Sequence, residues 1–209
     1  MKDWLKWHKH YDTDSSLNKR LLLVQDAIRQ SLPDNHIASY TILDICAGNG
    51  RDLVEVLDTY RYKNVVRGCL IELDPKLTDE LHVRVQAANI PQDLKIIQAD
   101  ASQTYTYKNN LPADLILICG VFGNIAEDDI AKTIENLPKL CKQGTRVIWT
   151  RHLRAPDRTK MIRDVFHNNG FNELSFVTTN DNSYGVGTQM FTSSTPAIGE
   201  NVTMFRFIK

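Results

Sequence analysis

Along the chain, apolar residues recur at helical spacing in some stretches and in short unbroken runs in others. Leu17, Leu21, Val24 and Ile28 lie three or four positions apart, which predicts an amphipathic helix. Asp14 or Ser15 can cap its start, and Pro33 ends it. From residue 41 runs and periodic segments alternate. Residues 41–46, 65–71, 94–98, 114–119 and 145–150 are short apolar runs rich in β-branched residues and read as strands. Between them, 52–60, 77–88 and 127–141 carry helical spacing. A further helix is expected over 156–169, opening at Pro156 and closing before Gly170. Residues 171–178 and 202–208 read as two last strands, and 102–112 shows no helical pattern.

Strands alternating with helices predict an α/β fold: a mainly parallel seven-stranded sheet with helices on both faces. No helical pattern separates the last two strands, so an antiparallel C-terminal pair at one edge is expected. The division expected is 1–40 as an N-terminal helical extension and 41–209 as the main domain. In such sheets ligands bind beyond the carboxyl ends of the strands, so residues just after each strand are the candidates for chemistry.

Composition narrows the choice. The 25 basic and 25 acidic residues cancel, so no net field gathers nucleic acid or an anionic membrane. A small-molecule substrate is therefore expected ahead of nucleic acid or protein. No stretch approaches the roughly 18 apolar residues of a membrane span, and the first residues lack the apolar centre of a signal peptide; no membrane partner and a cytoplasmic location are expected. Cys46, Cys69, Cys119 and Cys141 show no C-x-x-C spacing and are expected as reduced, apolar-packed thiols. No metal site is expected.

Three segments carry chemistry. Asp44-Ile45-Cys46-Ala47-Gly48-Asn49-Gly50-Arg51-Asp52 is a strand, a glycine turn and a helix start. Its glycines let backbone approach a ligand, and Asp44 is an acceptor suited to an ammonium group. A dinucleotide site would place a third glycine where Leu53 stands. About twenty positions on, Glu72 ends the second strand, where a carboxylate can accept ribose hydroxyls; Asp74 beside Pro75 reads as a helix cap. Asp100 follows the third strand and can accept from an exocyclic amine.

As a set these segments resemble the motifs of the Rossmann-like (class I) S-adenosylmethionine (AdoMet)-dependent methyltransferases. Asp44–Gly50 is similar to the first motif, Glu72-Leu73-Asp74-Pro75 to the second and Gln98-Ala99-Asp100-Ala101 to the third. The words around Trp7-His8, Cys46–Asp52, Cys119–Ile125 and Trp149–His152 resemble a group of largely uncharacterised bacterial methyltransferases. The resemblance implies AdoMet as cofactor. Asp44 and the turn would face its methionine moiety, Glu72 the ribose and Asp100 the adenine. Cofactor-binding candidates are Tyr11, Arg20, Asp44, Ala47, Gly48, Asn49, Gly50, Asp52, Glu72, Leu73, Asp100, Ala101 and Gly120, with Tyr11 and Arg20 for the carboxylate. Phe122, Asn124, Arg151 and His8 are the substrate-binding candidates, and His152 and Asn124 the catalytic ones. Residues 1–14, dense in Trp, His and Tyr, are expected as a lid over the cleft. An aminopropyl-type transferase and a non-catalytic AdoMet-binding regulatory protein stay open as alternatives on the same fold.

Overall fold

The computed structural model describes residues 16–35, 37–194 and 201–208. Helix α1 (Ser16–Ser31) precedes β1 (Tyr40–Ile45), α2 (Leu53–Thr59), β2 (Val66–Glu72) and α3 (Pro75–Ala87). Then come β3 (Leu94–Gln98), β4 (Ala113–Ile118), α4 (Glu127–Asn136), β5 (Cys141–His152), α5 (Thr159–Asn168), β6 (Phe171–Thr178) and β7 (Tyr184–Phe191). The seven strands form one sheet in the order β3-β2-β1-β4-β5-β7-β6. Strands β1 to β5 are parallel, whereas β7 lies antiparallel between β5 and β6. Strand order reverses between β1 and β4, which opens a crevice at their carboxyl ends.

Burial explains why the runs become strands. Every residue of β1 is buried, as expected of a central parallel strand covered on both faces. One core cluster lies under α4 and α5 and a second under α1, α2 and α3. Leu17, Leu21, Val24 and Ile28, the predicted stripe of α1, are all buried. That helix is fixed on the sheet: Leu17 and Leu21 pack with Tyr184 at the start of β7, while Val24 and Ile28 join the second cluster.

Three expectations are corrected. The seventh strand is β7, not 202–208. Its partners explain the miss: Gly187 pairs with Trp149, and a Cβ there would stand 2.3 Å from the indole. A Cβ on Gly185 would stand 2.5 Å from the Phe176 ring. Two glycines in a strand of eight erase its apolar signal while making room for two stacked rings, whose centroids are 5.7 Å apart. Residues 201–208 instead cross the carboxyl ends of the parallel strands, bridging Gln103 through Thr203 and Ile125 through Phe207. Finally, α5 begins at Thr159, so Pro156 lies outside it. As expected, no α-helix joins β3 to β4; two 3₁₀ turns fill that stretch.

Gly68, paired with Ile42, lies hard against the neighbouring strand. Its φ is +123°, and a Cβ would lie 1.9 Å from the Ile42 carbonyl oxygen. Gly68→Ala should destabilise the protein by at least about 2 kcal/mol, combining backbone strain with a clash against backbone that cannot rotate away. Urea denaturation measures it, and a loss under about 0.5 kcal/mol, the level of an ordinary surface change, would contradict this account.

Candidate functional site

The turn between β1 and α2 is left-handed at three residues: Cys46, Gly48 and Gly50 have φ of 65°, 58° and 71°. Glycine removes the steric cost at two of them. The turn is pinned from both sides. Ala47 N–H donates to the Ile71 carbonyl and Gly50 N–H to the Ala47 carbonyl. Asn49 donates its amide to Glu80 on α3 at 2.8 Å. A Cβ at Gly50 would meet Leu81 at 2.3 Å, so Gly50 seats the turn on α3 and lies outside the lining of the cleft.

Glu72 fastens the next wall to this turn. Its Oε2 accepts from Gly48 N–H at 2.9 Å, and its Oε1 accepts from Leu73 and Asp74 N–H at 2.9 and 2.8 Å. Burial pushes its carboxyl up, and these N–H groups pull against that shift. Three of about four lone-pair positions are filled, leaving capacity for about one further donor. Asp74 caps α3 by accepting from Lys76 and Leu77 N–H, as its place beside Pro75 predicts.

These walls enclose a cavity of about 600 Å³, within the range of small-molecule sites. The turn from Cys46 to Asp52, apart from Gly50, forms its floor with Cys119 and Gly120. Glu72–Asp74 and Asp100–Gln103 form one side, and Arg20, Leu21 and Val24 of α1 another. Thr203, Phe205, Arg206 and Phe207 close it. Asp52 accepts from Leu53 N–H and Asp100 from Ser102 N–H, so both acids also brace their own loops. Arg20 is buried, its guanidinium 5.3 Å from the Tyr184 ring centre. Asp44 does not line the cavity: it is sealed beneath the turn, 1% exposed. Burial first, then the charges of Asp52 and Glu72, push its carboxyl well above the usual carboxylate range. Two buried acceptor atoms here, Asp44 Oδ2 and Asn49 Oδ1, have no hydrogen-bond partner among the described residues. The floor is thus acceptor-rich and short of donors.

Among solved structures, magnesium protoporphyrin IX methyltransferase from Synechocystis PCC 6803, with bound SAM, superposes with a TM-score of 0.70 over 92% of each chain at 12% identity. A S-adenosylmethionine-dependent methyltransferase from Clostridium acetobutylicum ATCC 824 gives 0.62 over 92% of this chain and 100% of that one, at 13% identity. Precorrin-6y C5,15-methyltransferase from Geobacter metallireducens GS-15 gives 0.57 over 83% and 87%, at 11%. At such identities the likeness is one of fold. No curated protein sequence matches the chain. Residues 42–144 match the family model for the methyltransferase domain. The chain carries a methyltransferase domain, and its fold is that of the class I AdoMet-dependent methyltransferases.

Several candidate residues of this methyltransferase stand away from its cavity. Phe122, expected at the substrate, is fully buried between Trp149 and Phe166, with ring centroids at 6.1 and 6.4 Å. Asn124 closes its own loop, donating its amide to the Gly120 carbonyl at 2.7 Å. Arg151 donates to the Phe122 carbonyl, and His152 lies beside Gly123. None of these four lines the cavity, and no histidine does among the described residues. Tyr11 and His8 lie outside the described residues. Among the lining residues that sequence reasoning overlooked are Cys46, Arg51, Cys119, Thr203, Phe205, Arg206 and Phe207. Cys46 and Arg51 were legible from their place in the turn; the others carry no local signal.

Asp44 yields a test. With its folded-state value raised, the native protein holds a proton that the unfolded chain has released, between the ordinary carboxyl value and the raised one. Its contribution to stability therefore falls as pH rises through that window. In thermal melts, Asp44→Asn should gain on the wild type as pH climbs from about 4, the ordinary carboxyl range, toward neutrality. A difference in Tm that stays constant with pH would show that Asp44 titrates normally.

Proposed function

We propose that this methyltransferase transfers the AdoMet methyl group to a small-molecule acceptor, and that the cavity behind the glycine turn holds the cofactor. The observation that carries this reading is the junction at Glu72, where one carboxylate ties the turn to the loop after β2 within one cavity. The acceptor-rich floor fits a cation: a bound ammonium would supply a donor to Asn49 Oδ1, and the carboxylates of Asp52 and Glu72 in the lining favour positive charge above it. Glu72 has room for one ribose hydroxyl rather than the pair expected from the sequence. Asp100, Ala101 and Leu73 surround the adenine end, and Arg20 faces the carboxylate beside Gly120 and Asp52.

When bound, AdoMet supplies an activated methyl group on a sulfonium leaving group. The chain's own work is to position, to exclude water and to shape the field. Positioning can reach an effective molarity of about 10⁵–10⁸ M. The lining acids each brace backbone N–H groups, so none is poised as a general base. Among the described residues this lining suits an acceptor atom that attacks without losing a proton to the enzyme beforehand. His152 and Asn124 then act through the loop after β4 rather than on the acceptor directly, and Phe122 and Arg151 set that loop's shape. A pocket of this size, without net charge on the protein, favours a small molecule over a polymer. Among the described residues no helix is long and apolar enough to cross a membrane. The extension of residues 1–40 belongs to the same proposal: α1 already supplies Arg20, Leu21 and Val24 to the cavity, and the lid expected of residues 1–14, with Tyr11 and His8, lies outside the described residues.

Calorimetric titration tests this. AdoMet should bind and NAD should not. Arg20→Ala should lose about tenfold or more in AdoMet affinity, the usual effect of deleting a charged hydrogen bond. Decarboxylated AdoMet should be indifferent to that change; equal losses for both ligands would remove Arg20 from the carboxylate. Incubation with labelled AdoMet and a metabolite extract should give S-adenosylhomocysteine and a labelled small product, and label found only in protein or nucleic acid would overturn the small-molecule reading. Deleting residues 1–14 should leave a folded protein with weaker AdoMet binding, and normal binding would end the lid proposal.

A further inference from the structure

Residues 201–208 run where the sequence predicts an edge strand, yet they cross the open end of the sheet. They grip two loops at once. Toward β3, Thr104 N–H donates to the Val202 carbonyl at 3.0 Å and Met204 N–H to the Ser102 carbonyl at 2.8 Å. Toward β4, Ile208 N–H donates to the Asn124 carbonyl at 2.8 Å. Arg206 N–H reaches the Asp129 carboxylate, and the Met204 carbonyl accepts from Thr133, both on α4. Met204 and Phe205 are buried, which anchors the crossing in the core. Phe207 follows, its ring edge-on to Phe205 at 5.5 Å between centroids.

Within the cavity, two large apolar side chains keep much of their surface exposed: Leu73 at 62% and Phe207 at 42%. Leu73 follows Glu72; Phe207 is bridged to Ile125 in the loop after β4, while Thr203, four residues earlier on the same crossing, is bridged to Gln103 in the loop after Asp100. Both side chains line the cavity from different walls, and a flat apolar-faced ring gains most from covering them.

We propose that residues 201–208 form a strap that completes the cofactor site, with Phe207 as an aromatic plate against the adenine. The strap takes the place of a helix between β3 and β4, holding the loop after Asp100 to the loop after Gly120. This rests on the assignment of the cavity to AdoMet.

The test is calorimetry with adenosine, S-adenosylhomocysteine and AdoMet on wild type, Phe207→Ala and Phe207→Trp. In the alanine variant all three ligands should weaken by the same factor, on the order of tenfold, because the lost contact lies in their shared part. Phe207→Trp should restore most of the affinity. Should the alanine variant fail to fold, Phe207→Leu keeps the apolar bulk without the aromatic face, and its affinity for adenosine should still fall at least about threefold. Unchanged adenosine affinity in a folded variant overturns the proposal, even if turnover drops. A wild type that binds none of the three refutes the AdoMet assignment itself, whereas wild-type binding with indifferent variants refutes the strap alone.

Discussion

The site depends on one carboxylate. Glu72 ends β2 and collects N–H groups from Gly48, Leu73 and Asp74, so it fixes the glycine turn against the neighbouring strand end. A turn with three left-handed positions in five residues has no regular hydrogen-bond ladder to hold it. Without that acceptor, Gly48 N–H would lose its partner. The cost is a buried charge, offset by three charge-assisted hydrogen bonds. A ligand hydroxyl that joined them would complete an arrangement the protein has already organised.

The sheet makes this possible by close approach. Gly68 lets β2 lie against the Ile42 carbonyl, which brings the ends of β1 and β2 together where Glu72 and the turn meet. At the far edge the same device works through side chains: Gly185 and Gly187 admit the rings of Phe176 and Trp149. β5 stays paired with β7 up to His152, so the loops at its carboxyl end rest on a layer of stacked aromatic rings.

What the sequence discloses follows from range. The turn, Glu72 and the Asp74 cap were legible because each motif is local: a few residues in fixed spacing specify the backbone they need. Strand β7 was hidden because its glycines serve rings from other strands, an influence that leaves no periodic trace. Phe122 and Asn124 follow β4 where substrate groups are expected, but the loop folds inward, so the ring joins the core and the amide closes the turn. Residues 201–208 read as a strand for a sound reason: their backbone is extended and makes bridges. Where those bridges lead is decided by partners far away in the chain.

That distance has a kinetic meaning. Thr104 and Asn201 are 97 positions apart, and Gln103 and Thr203 are 100 apart. Contacts of such span carry the full entropy of closing a long loop and come late in folding. The sheet and glycine turn can form while the cavity still lacks a wall. A ligand that needs this wall would recognise only the finished protein, and so would slow unfolding without hastening folding.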